Sequence, residues 1–412
     1  MATQASAVRP RRSGDLRDRL FATRALSLAL AAPLSDADAT AQSMPDASPA
    51  KWHLAHTTWF LETFVLAHVA GYRKFDERFG FLFNSYYEAI GARHPRATRG
   101  LLTRPALAEI LDWRDHVDGA LDTAWGGLDD NARMLIDLGI AHEQQHQELL
   151  LTDILHLFSC NPLAPALYDA QPVPVTPPPP NWRRHPGGIV AVGAAADRFS
   201  FDCEGPGHRV VVQPFHLAGS YVTNADWAAF IADGGYRQAA LWLSDGWAWV
   251  QRENIVAPLY WGDDGSQFTL CGRVDRPADA PVCHISQYEA DAFATWAGTR
   301  LPTEFEWEAA AAGDDPCGGN QLDGPGRIAP RGEPGLFGDV WTWTASAFLP
   351  YPRFRPATGA VGEYNGKFMS GQMVLRGASC ATPRGHSRTT LRNFFQPHHR
   401  WQFNGLRLAK DG

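Results

Sequence analysis

The chain has 412 residues, of which 45% are hydrophobic and 20% are charged. This length exceeds what one hydrophobic core usually organises, so it predicts two domains. The formal net charge is -7. Binding to nucleic acid or to an anionic membrane surface depends on an excess of basic residues, so this charge excludes both classes of partner.

The N-terminus lacks the basic head, apolar run and cleavage site of a signal peptide. An apolar stretch at 26–34 is too short to span a bilayer. The six cysteines are scattered without CxxC spacing, which is typical of a reducing compartment. We therefore expect a cytoplasmic protein with no membrane segment, and a flexible N-terminus at 1–13.

Residues 14–166 have apolar side chains at three- and four-residue spacing, which predicts a four-helix bundle. The second helix is expected to have Ser48 as its N-cap, Pro49 as its first residue and Gly71 as its stop. The four helices are predicted at 15–32, 48–71, 105–125 and 130–158.

The composition changes after the predicted bundle. Residues 167–187 include four consecutive prolines, which favour extended polyproline geometry and predict a linker. From 188 to 412, glycine, proline and tryptophan are frequent and periodicity is weak, which predicts a loop-rich α+β domain. Its clearest elements are strands at 209–212 and 373–375 and helices at 224–233 and 286–298.

Histidines occur in pairs on two of the predicted helices. His142 and His146 are four residues apart on the fourth helix and therefore project from one face. The second helix carries His53 and His56 among large aromatic side chains. Because facing helices of a bundle can supply the ligands of one metal ion, we expect a metal site here. The spacing leaves His53 and His56 as alternatives for the third ligand.

The segment HEQQH also matches a zinc peptidase motif, in which Glu143 would be the general base. The extended form of that motif requires a histidine at position 152, which is a threonine. The shorter form requires a ligand on a following helix, where this chain instead enters the proline-rich segment. A zinc hydrolase is therefore kept as an alternative.

Longer motifs indicate a family. The segments SPAKWHLAHTTWFLETF, FNSYYEAIGARHPR and HEQQHQE resemble the DinB-like domain of EgtB-type sulfoxide synthases of ergothioneine biosynthesis. LPTEFEWEAAA, FGDVWTWTAS and RWQFNGLRLA resemble the C-type-lectin-like domain of formylglycine-generating enzymes. The resemblance implies a DinB-like four-helix bundle followed by a formylglycine-generating-enzyme-like domain, that is, an α domain plus an α+β domain. A non-catalytic lectin-like binding protein is a further alternative.

The resemblance also implies a ligand set. The family's first iron ligand lies in an LAH element that aligns with 54–56, so His56, His142 and His146 are the expected Fe(II) ligands and His53 a supporting residue. Three imidazoles leave three iron positions open, for dioxygen and two substrate atoms. In the family, these sites serve to join a chalcogen to the imidazole carbon of hercynine, which is Nα-trimethylhistidine.

The tyrosine pair of the FNSYY loop is expected to lie near the iron. The resemblance implies that Tyr87 donates a proton during the reaction and that Tyr86 supports it. The arginines at 93, 96 and 99 lie in the following loop, and Arg96 is predicted to bind a substrate carboxylate.

The trimethylammonium group of hercynine cannot donate ordinary hydrogen bonds, so aromatic faces should recognise it. Trp401 and Phe403 are predicted to supply these faces. The other residues expected to contact substrate are Gln145, Asn393, Phe394 and Gln402.

Four positions in the predicted second domain depart from the family pattern, whereas the expected iron ligands are retained. They are Cys203, Gln287, Thr342 and Asn404. The side chains of Gln287 and Asn404 would offer amide hydrogen bonds to sugar hydroxyls. This combination resembles selenoneine synthases, which take selenium from a selenosugar. Two donors therefore remain open, a selenosugar or the cysteine or γ-glutamylcysteine of the ergothioneine branch.

Overall fold

The computed structural model describes residues 15–85, 87–169, 175, 181–195, 199–326, 328–356, 362 and 365–412. The predicted flexible segment at 1–13 lies outside these residues. Within them, helices account for the first part of the chain, and every β-strand follows residue 181. None of the described helices is both long enough and apolar enough to cross a membrane. No disulfide bond joins the six cysteines, all of which are described.

The N-terminal part is a helical bundle. Its helices are α1 (Leu16–Ala31), α2 (Asp36–Thr40), α3 (Ala50–Phe64), α4 (Phe79–Phe83), α5 (Leu107–Ala124) and α6 (Asp130–Ser159). The carboxylates of Asp15 and Asp129 accept hydrogen bonds from backbone N–H groups at the starts of α1 and α6, as N-caps do. The four long helices are α1, α3, α5 and α6, which confirms the predicted bundle.

The second predicted helix is shorter than expected. It begins at Ala50, follows Pro49 and ends at Phe64, with a 3-10 turn at Leu66–His68. Ser48 does not cap it. The Ser48 hydroxyl oxygen instead accepts from the guanidinium of Arg99 at 2.9 Å, and its backbone N–H donates to Asp153 at 2.8 Å.

Helix α3 lies at the centre of the bundle and is buried along almost its whole length. It packs against α5 and α6. Polar groups on so buried a helix need partners, since an unpaired polar atom in the interior is costly. Glu62, for example, accepts hydrogen bonds from Tyr72 and Trp113. The two histidines of α3, His53 and His56, should therefore also have partners for their ring nitrogens.

The second domain contains several small sheets and four further helices. Its strands are β1 (Trp182–His185), β2 (Gly188–Val192), β3 (His208–Val212), β4 (Phe215–Ala218), β5 (Ser266–Thr269), β6 (Gly272–Asp275), β7 (Trp341–Ala347), β8 (Met373–Arg376), β9 (Asn393–Phe395), β10 (Asn404–Gly405) and β11 (Ala409–Asp411). Its helices are α7 (Asn224–Ala232), α8 (Ser244–Glu253), α9 (Gln287–Trp296) and α10 (Glu304–Ala310). The predicted strands and helices are confirmed within one or two residues, whereas α8 was not predicted.

The strands form a four-stranded sheet in the order β10-β7-β8-β9, a three-stranded sheet in the order β1-β4-β11, and the pairs β2-β3 and β5-β6. Strand β1 lies inside the segment predicted to be a linker. It pairs with β4, with Trp182 opposite Ala218. The backbone N–H groups of Leu167 and Tyr168 also donate to Leu270 of the second domain. Both ends of the predicted 167–187 linker are therefore attached to folded structure.

One carboxylate joins the two domains. Glu148 on α6 accepts hydrogen bonds from the indole N–H of Trp341 at 2.7 Å, from Ser379 at 2.6 Å and from Thr382 at 2.8 Å. Burial raises the pKa of Glu148, while these three donors oppose the shift. Glu148 lies two residues beyond His146, so this contact fixes the position of the histidine-bearing helix relative to the second domain.

Candidate active site

Helices α3 and α6 bring three histidines together. One ring nitrogen from each of His56, His142 and His146 lies within 4.8 Å of the other two. His56 and His142 are buried, and His146 is partly buried. Separations of this size allow one ion to contact all three rings after small side-chain adjustments. The predicted juxtaposition of these histidines is therefore observed.

The imidazole of His56 is held on both faces and at one edge. Its Nδ1–H donates to the backbone carbonyl of Phe83, where α4 ends, at 2.6 Å. Trp52 stacks on one side at a centroid distance of 4.6 Å, and Trp59 stacks at 5.4 Å with a nearly parallel ring plane. Because Nδ1 is occupied, Nε2 is the nitrogen available to a metal.

Burial keeps these imidazoles neutral. It lowers the pKa of His142 to about 3, and it lowers the pKa values of His56 and His146 well below their usual range. Neutral imidazole is the form that binds a metal. A set of three nitrogen ligands with no carboxylate suits a first-row transition metal such as iron(II) better than magnesium or calcium, which prefer oxygen.

His53 lies beside the cluster and contacts one of its members. Its Nδ1 lies 2.9 Å from Nδ1 of His146, and its Nε2 lies 3.1 Å from the carboxylate of Asp153. Both ring nitrogens therefore have protein partners. This arrangement agrees with the supporting role expected for His53.

The cluster forms part of the wall of a cavity of about 370 Å³ between the bundle and the second domain. A volume of this size suits a small-molecule substrate. Nine of the predicted site residues line the cavity: His56, His142, His146, Gln145, Arg96, Asn393, Phe394, Trp401 and Gln402.

Three side chains of the second-domain wall carry buried hydrogen-bonding atoms that have no partner within the described residues. These atoms are Nε1 of Trp401, Nε2 of Gln402 and Nδ1 of His399. The ring of His399 packs against Trp401 at 4.5 Å. These atoms have almost no accessible surface in this structure, so a bound molecule would pair with the indole and amide donors only after the side chains turn toward the cavity. His399 was not predicted from the sequence.

Three residues predicted to contact substrate are buried and are not among the described residues that line the cavity, so their contacts stay predictions. Phe403 packs against His284 with a centroid distance of 5.0 Å. Asn404 is fully buried, and its side-chain oxygen accepts from the backbone N–H of Ile285. Gln287 is buried at the start of α9. The predicted sugar contacts of Gln287 and Asn404 therefore lack structural support.

The predicted tyrosine pair is described only in part. Tyr87 is buried, and its ring packs among Trp59, Phe60 and Phe64 at 5.2 to 6.4 Å. It is not among the described residues that line the cavity. The role of Tyr87 as proton donor therefore stays a prediction. Tyr86 lies outside the described residues.

The arginine loop contributes two cavity residues. Arg96 lines the cavity and donates to the backbone carbonyl of Asp46. Arg99 is more deeply buried, donates to the hydroxyl groups of Ser48 and Ser85, and lies 3.3 Å above the ring of Trp52. The burial of Arg99 was not predicted from the sequence.

Glu143 does not line the cavity within the described residues. Its carboxylate pairs with Arg114 and with Arg24, and it accepts a hydrogen bond from Ser27 at 2.6 Å. Burial alone would raise the pKa of Glu143, but the two guanidinium groups overcome this effect and lower it to about 2. A carboxylate held in this way is not placed to activate water at the histidine cluster, which argues against the zinc hydrolase alternative.

Comparisons with known proteins agree with both domains. Residues 19–150 match the DinB superfamily, and residues 169–324 match the sulfatase-modifying factor enzyme 1-like domain. A formylglycine-generating enzyme of Thermomonospora curvata is 36% identical over 151 residues, covering 31% of this chain and 47% of that protein. The chain thus combines a DinB-like helical domain with a formylglycine-generating-enzyme-like domain.

Two relatives match over nearly the whole chain. The hercynine oxygenase of Mycolicibacterium smegmatis is 34% identical over 436 residues, covering 96% of this chain and 98% of that protein. The hercynine oxygenase of Mycobacterium tuberculosis is 34% identical over 409 residues, covering 91% of this chain and 94% of that protein. The relatives that match both domains of this chain are oxygenases. Within this class, the chain belongs to the hercynine oxygenase family.

Proposed function

We propose that this protein is a non-haem iron(II) enzyme that uses dioxygen to join a chalcogen to the imidazole carbon of hercynine. The observation that carries the proposal is the convergence of His56, His142 and His146 on the wall of the interdomain cavity. Membership of the hercynine oxygenase family supports the choice of substrate.

The three imidazoles would hold iron(II), which when bound would supply the redox chemistry that carbon–chalcogen bond formation with dioxygen requires. The protein's own contribution is to keep the three rings neutral and fixed. The burial of His56 and His142 and the stacking of Trp52 and Trp59 on His56 do this before substrate binds.

The second-domain wall has the groups that hercynine needs. An aromatic face attracts a trimethylammonium cation, and Trp401 and Phe394 line the cavity. The amide of Gln402 and the indole N–H of Trp401 are donors suited to a carboxylate or to an imidazole nitrogen. Gln145 lies directly before His146 on α6 and would contact the hercynine side of the site.

The chalcogen donor belongs to one of two classes, which differ in charge. Cysteine or γ-glutamylcysteine carries carboxylates, which the guanidinium of Arg96 at the cavity wall would pair with. A selenosugar would instead use hydroxyl groups. The departures at Gln287 and Asn404, which favoured the sugar in the sequence, are buried outside the cavity lining, so any influence on the donor would be indirect.

The proposed reaction is tested by supplying the iron-loaded protein with dioxygen, hercynine and one donor at a time. Cysteine, γ-glutamylcysteine and a selenosugar are compared, and products are identified by mass. A product with a new carbon–sulfur or carbon–selenium bond at the imidazole ring is expected with one donor class, and none with His142→Ala. Absence of such a product with all three donors would contradict the proposal.

We also propose that the enzyme acts in the cytoplasm, with hercynine, dioxygen and a chalcogen donor as its small-molecule partners. A reducing compartment is consistent with six cysteines that form no disulfide bond. Fractionation of the native host with an antibody against the protein tests the location. Recovery with a membrane or secreted fraction would contradict it.

A further inference from the structure

His53 occupies a position between two side chains of α6. Its ring lies on α3, one turn before His56, and is 3% exposed. On one side, its Nδ1 is 2.9 Å from Nδ1 of His146. On the other side, its Nε2 is 3.1 Å from Oδ2 of Asp153, which is 5% exposed. The three groups form a hydrogen-bonded chain that ends at one of the clustered histidines.

The geometry of α6 explains why one ring can bridge these two residues. His146 and Asp153 are seven residues apart and therefore lie on the same face, two turns from each other. Helix α3 packs against this face and inserts His53 between them. Asp153 is further fixed because the same carboxylate oxygen accepts the backbone N–H of Ser48 at 2.8 Å.

The two contacts determine which nitrogen carries each proton. A histidine that binds a metal through Nε2 keeps its proton on Nδ1, so His146 would donate from Nδ1 to His53. His53 must then accept at Nδ1 and carry its own proton on Nε2, which donates to Asp153. Each ring nitrogen of His146 and His53 then acts only as a donor, only as an acceptor or only as a metal ligand. The opposite arrangement, with His53 donating to His146, would put the proton of His146 on Nε2 and block metal binding.

We propose that His53, oriented by Asp153, is a positioning residue that directs Nε2 of His146 toward the metal. This inference rests on the proposed iron site and adds a residue that acts through His146. The role of His53 parallels that of the Phe83 carbonyl at His56. Partners of this kind fix the orientation of a metal-bound imidazole and raise its basicity as a ligand, and their loss commonly weakens metal binding by roughly 10- to 100-fold.

A simpler possibility is that His53 only ties α3 to α6. Two amide substitutions separate these roles, because the amide of asparagine reaches the position of Nδ1 in histidine, whereas the amide of glutamine reaches the position of Nε2. His53→Asn therefore retains an acceptor for His146 and loses the contact with Asp153. His53→Gln retains the contact with Asp153 and loses the acceptor. His53→Leu loses both.

Iron(II) affinity is measured under anaerobic conditions for the wild-type protein and the three variants. The absorption spectrum of the cobalt(II)-substituted proteins reports the ligand field directly and does not depend on turnover. We expect His53→Leu and His53→Gln to bind iron roughly 10- to 100-fold more weakly and to shift the cobalt bands. His53→Asn should recover most of the affinity and a spectrum close to that of the wild type.

The matched control is His156→Leu, because His156 lies on the same helix, is partly buried and contacts Ser43 and Cys160 through Nδ1. Thermal unfolding of the metal-free proteins corrects for any loss of fold. Equal iron affinity and an unchanged cobalt spectrum in His53→Gln would overturn the positioning role while leaving the iron site intact. Absence of iron binding by the wild-type protein would overturn the proposed function itself, and the positioning role with it.

Discussion

Glu143 and Arg114 form an ion pair in the interior of the bundle, beside the histidine cluster but outside the cavity lining. Arg114 also donates to backbone and hydroxyl oxygens of α1 and α3, and Arg24 contacts the same carboxylate at 3.1 Å. The pair therefore connects α6 to its neighbouring helices. This placement predicts a structural effect for substitutions at Glu143.

Glu143→Gln should lower the free energy of unfolding by about 3 to 5 kcal/mol, because it leaves buried guanidinium groups without their shared counter-charge. Denaturation in urea, followed by circular dichroism, measures this change. Glu77→Gln is the control, since Glu77 pairs with Lys74 at the surface and should change stability by about 1 kcal/mol or less. A stable Glu143→Gln protein that had lost a hydrolytic activity would instead support the zinc hydrolase.

The helices were predictable because their apolar spacing and their caps are local properties of the sequence. Asp15, Ser286 and Thr303 cap the helices that follow them. Ser48 misled the prediction because its hydroxyl group bonds to Arg99, which lies 51 residues further along the chain. No local pattern reports such a partner.

The site was predictable to the extent that it depends on the two ligand helices. The cavity residues of the second domain were harder to predict, because consecutive side chains in this segment face different environments. Trp401 and Gln402 line the cavity, whereas Phe403 and Asn404 enter the domain interior. The sequence does contain a signal for Asp153, because its position seven residues after His146 predicts that both side chains lie on the same face of the helix.

His56→Ala, His142→Ala and His146→Ala should each abolish stoichiometric iron binding. At an iron concentration about 100 times Kd, binding stabilises the wild-type protein by about 2.7 kcal/mol, and the variants should lose this gain. Iron content after anaerobic loading and the iron-dependent shift in melting temperature measure both effects. Full iron occupancy in any of the three variants would remove that histidine from the ligand set. His156→Ala, on the same helix, should load iron normally.

Trp401→Leu should reduce the preference for hercynine over histidine. An aromatic face contributes roughly 0.5 to 2 kcal/mol to binding a methylated cation, which corresponds to roughly 2- to 30-fold in Kd. Calorimetric titration of both ligands into the iron-loaded protein measures the preference. Phe403→Leu is the matched control, because Phe403 is buried beyond the cavity lining and should leave the preference unchanged. Equal affinity of the wild-type protein for both ligands would rule out recognition of the trimethylammonium group.

Tyr86→Phe and Tyr87→Phe should differ in their effects on bond formation. The ring of Tyr87 packs among Trp59, Phe60 and Phe64, so removal of its hydroxyl should change the rate of bond formation by less than roughly tenfold. General acid–base residues contribute more, roughly 100- to 10,000-fold. If the loop supplies the proton donor, that role then passes to Tyr86. Tyr86→Phe should retain iron and hercynine binding while bond formation slows by roughly 100-fold or more, or gives way to simple oxidation of the donor. Single-turnover assays with product analysis by mass distinguish the two variants. A large loss in Tyr87→Phe with normal binding of both ligands would restore the assignment made from the sequence.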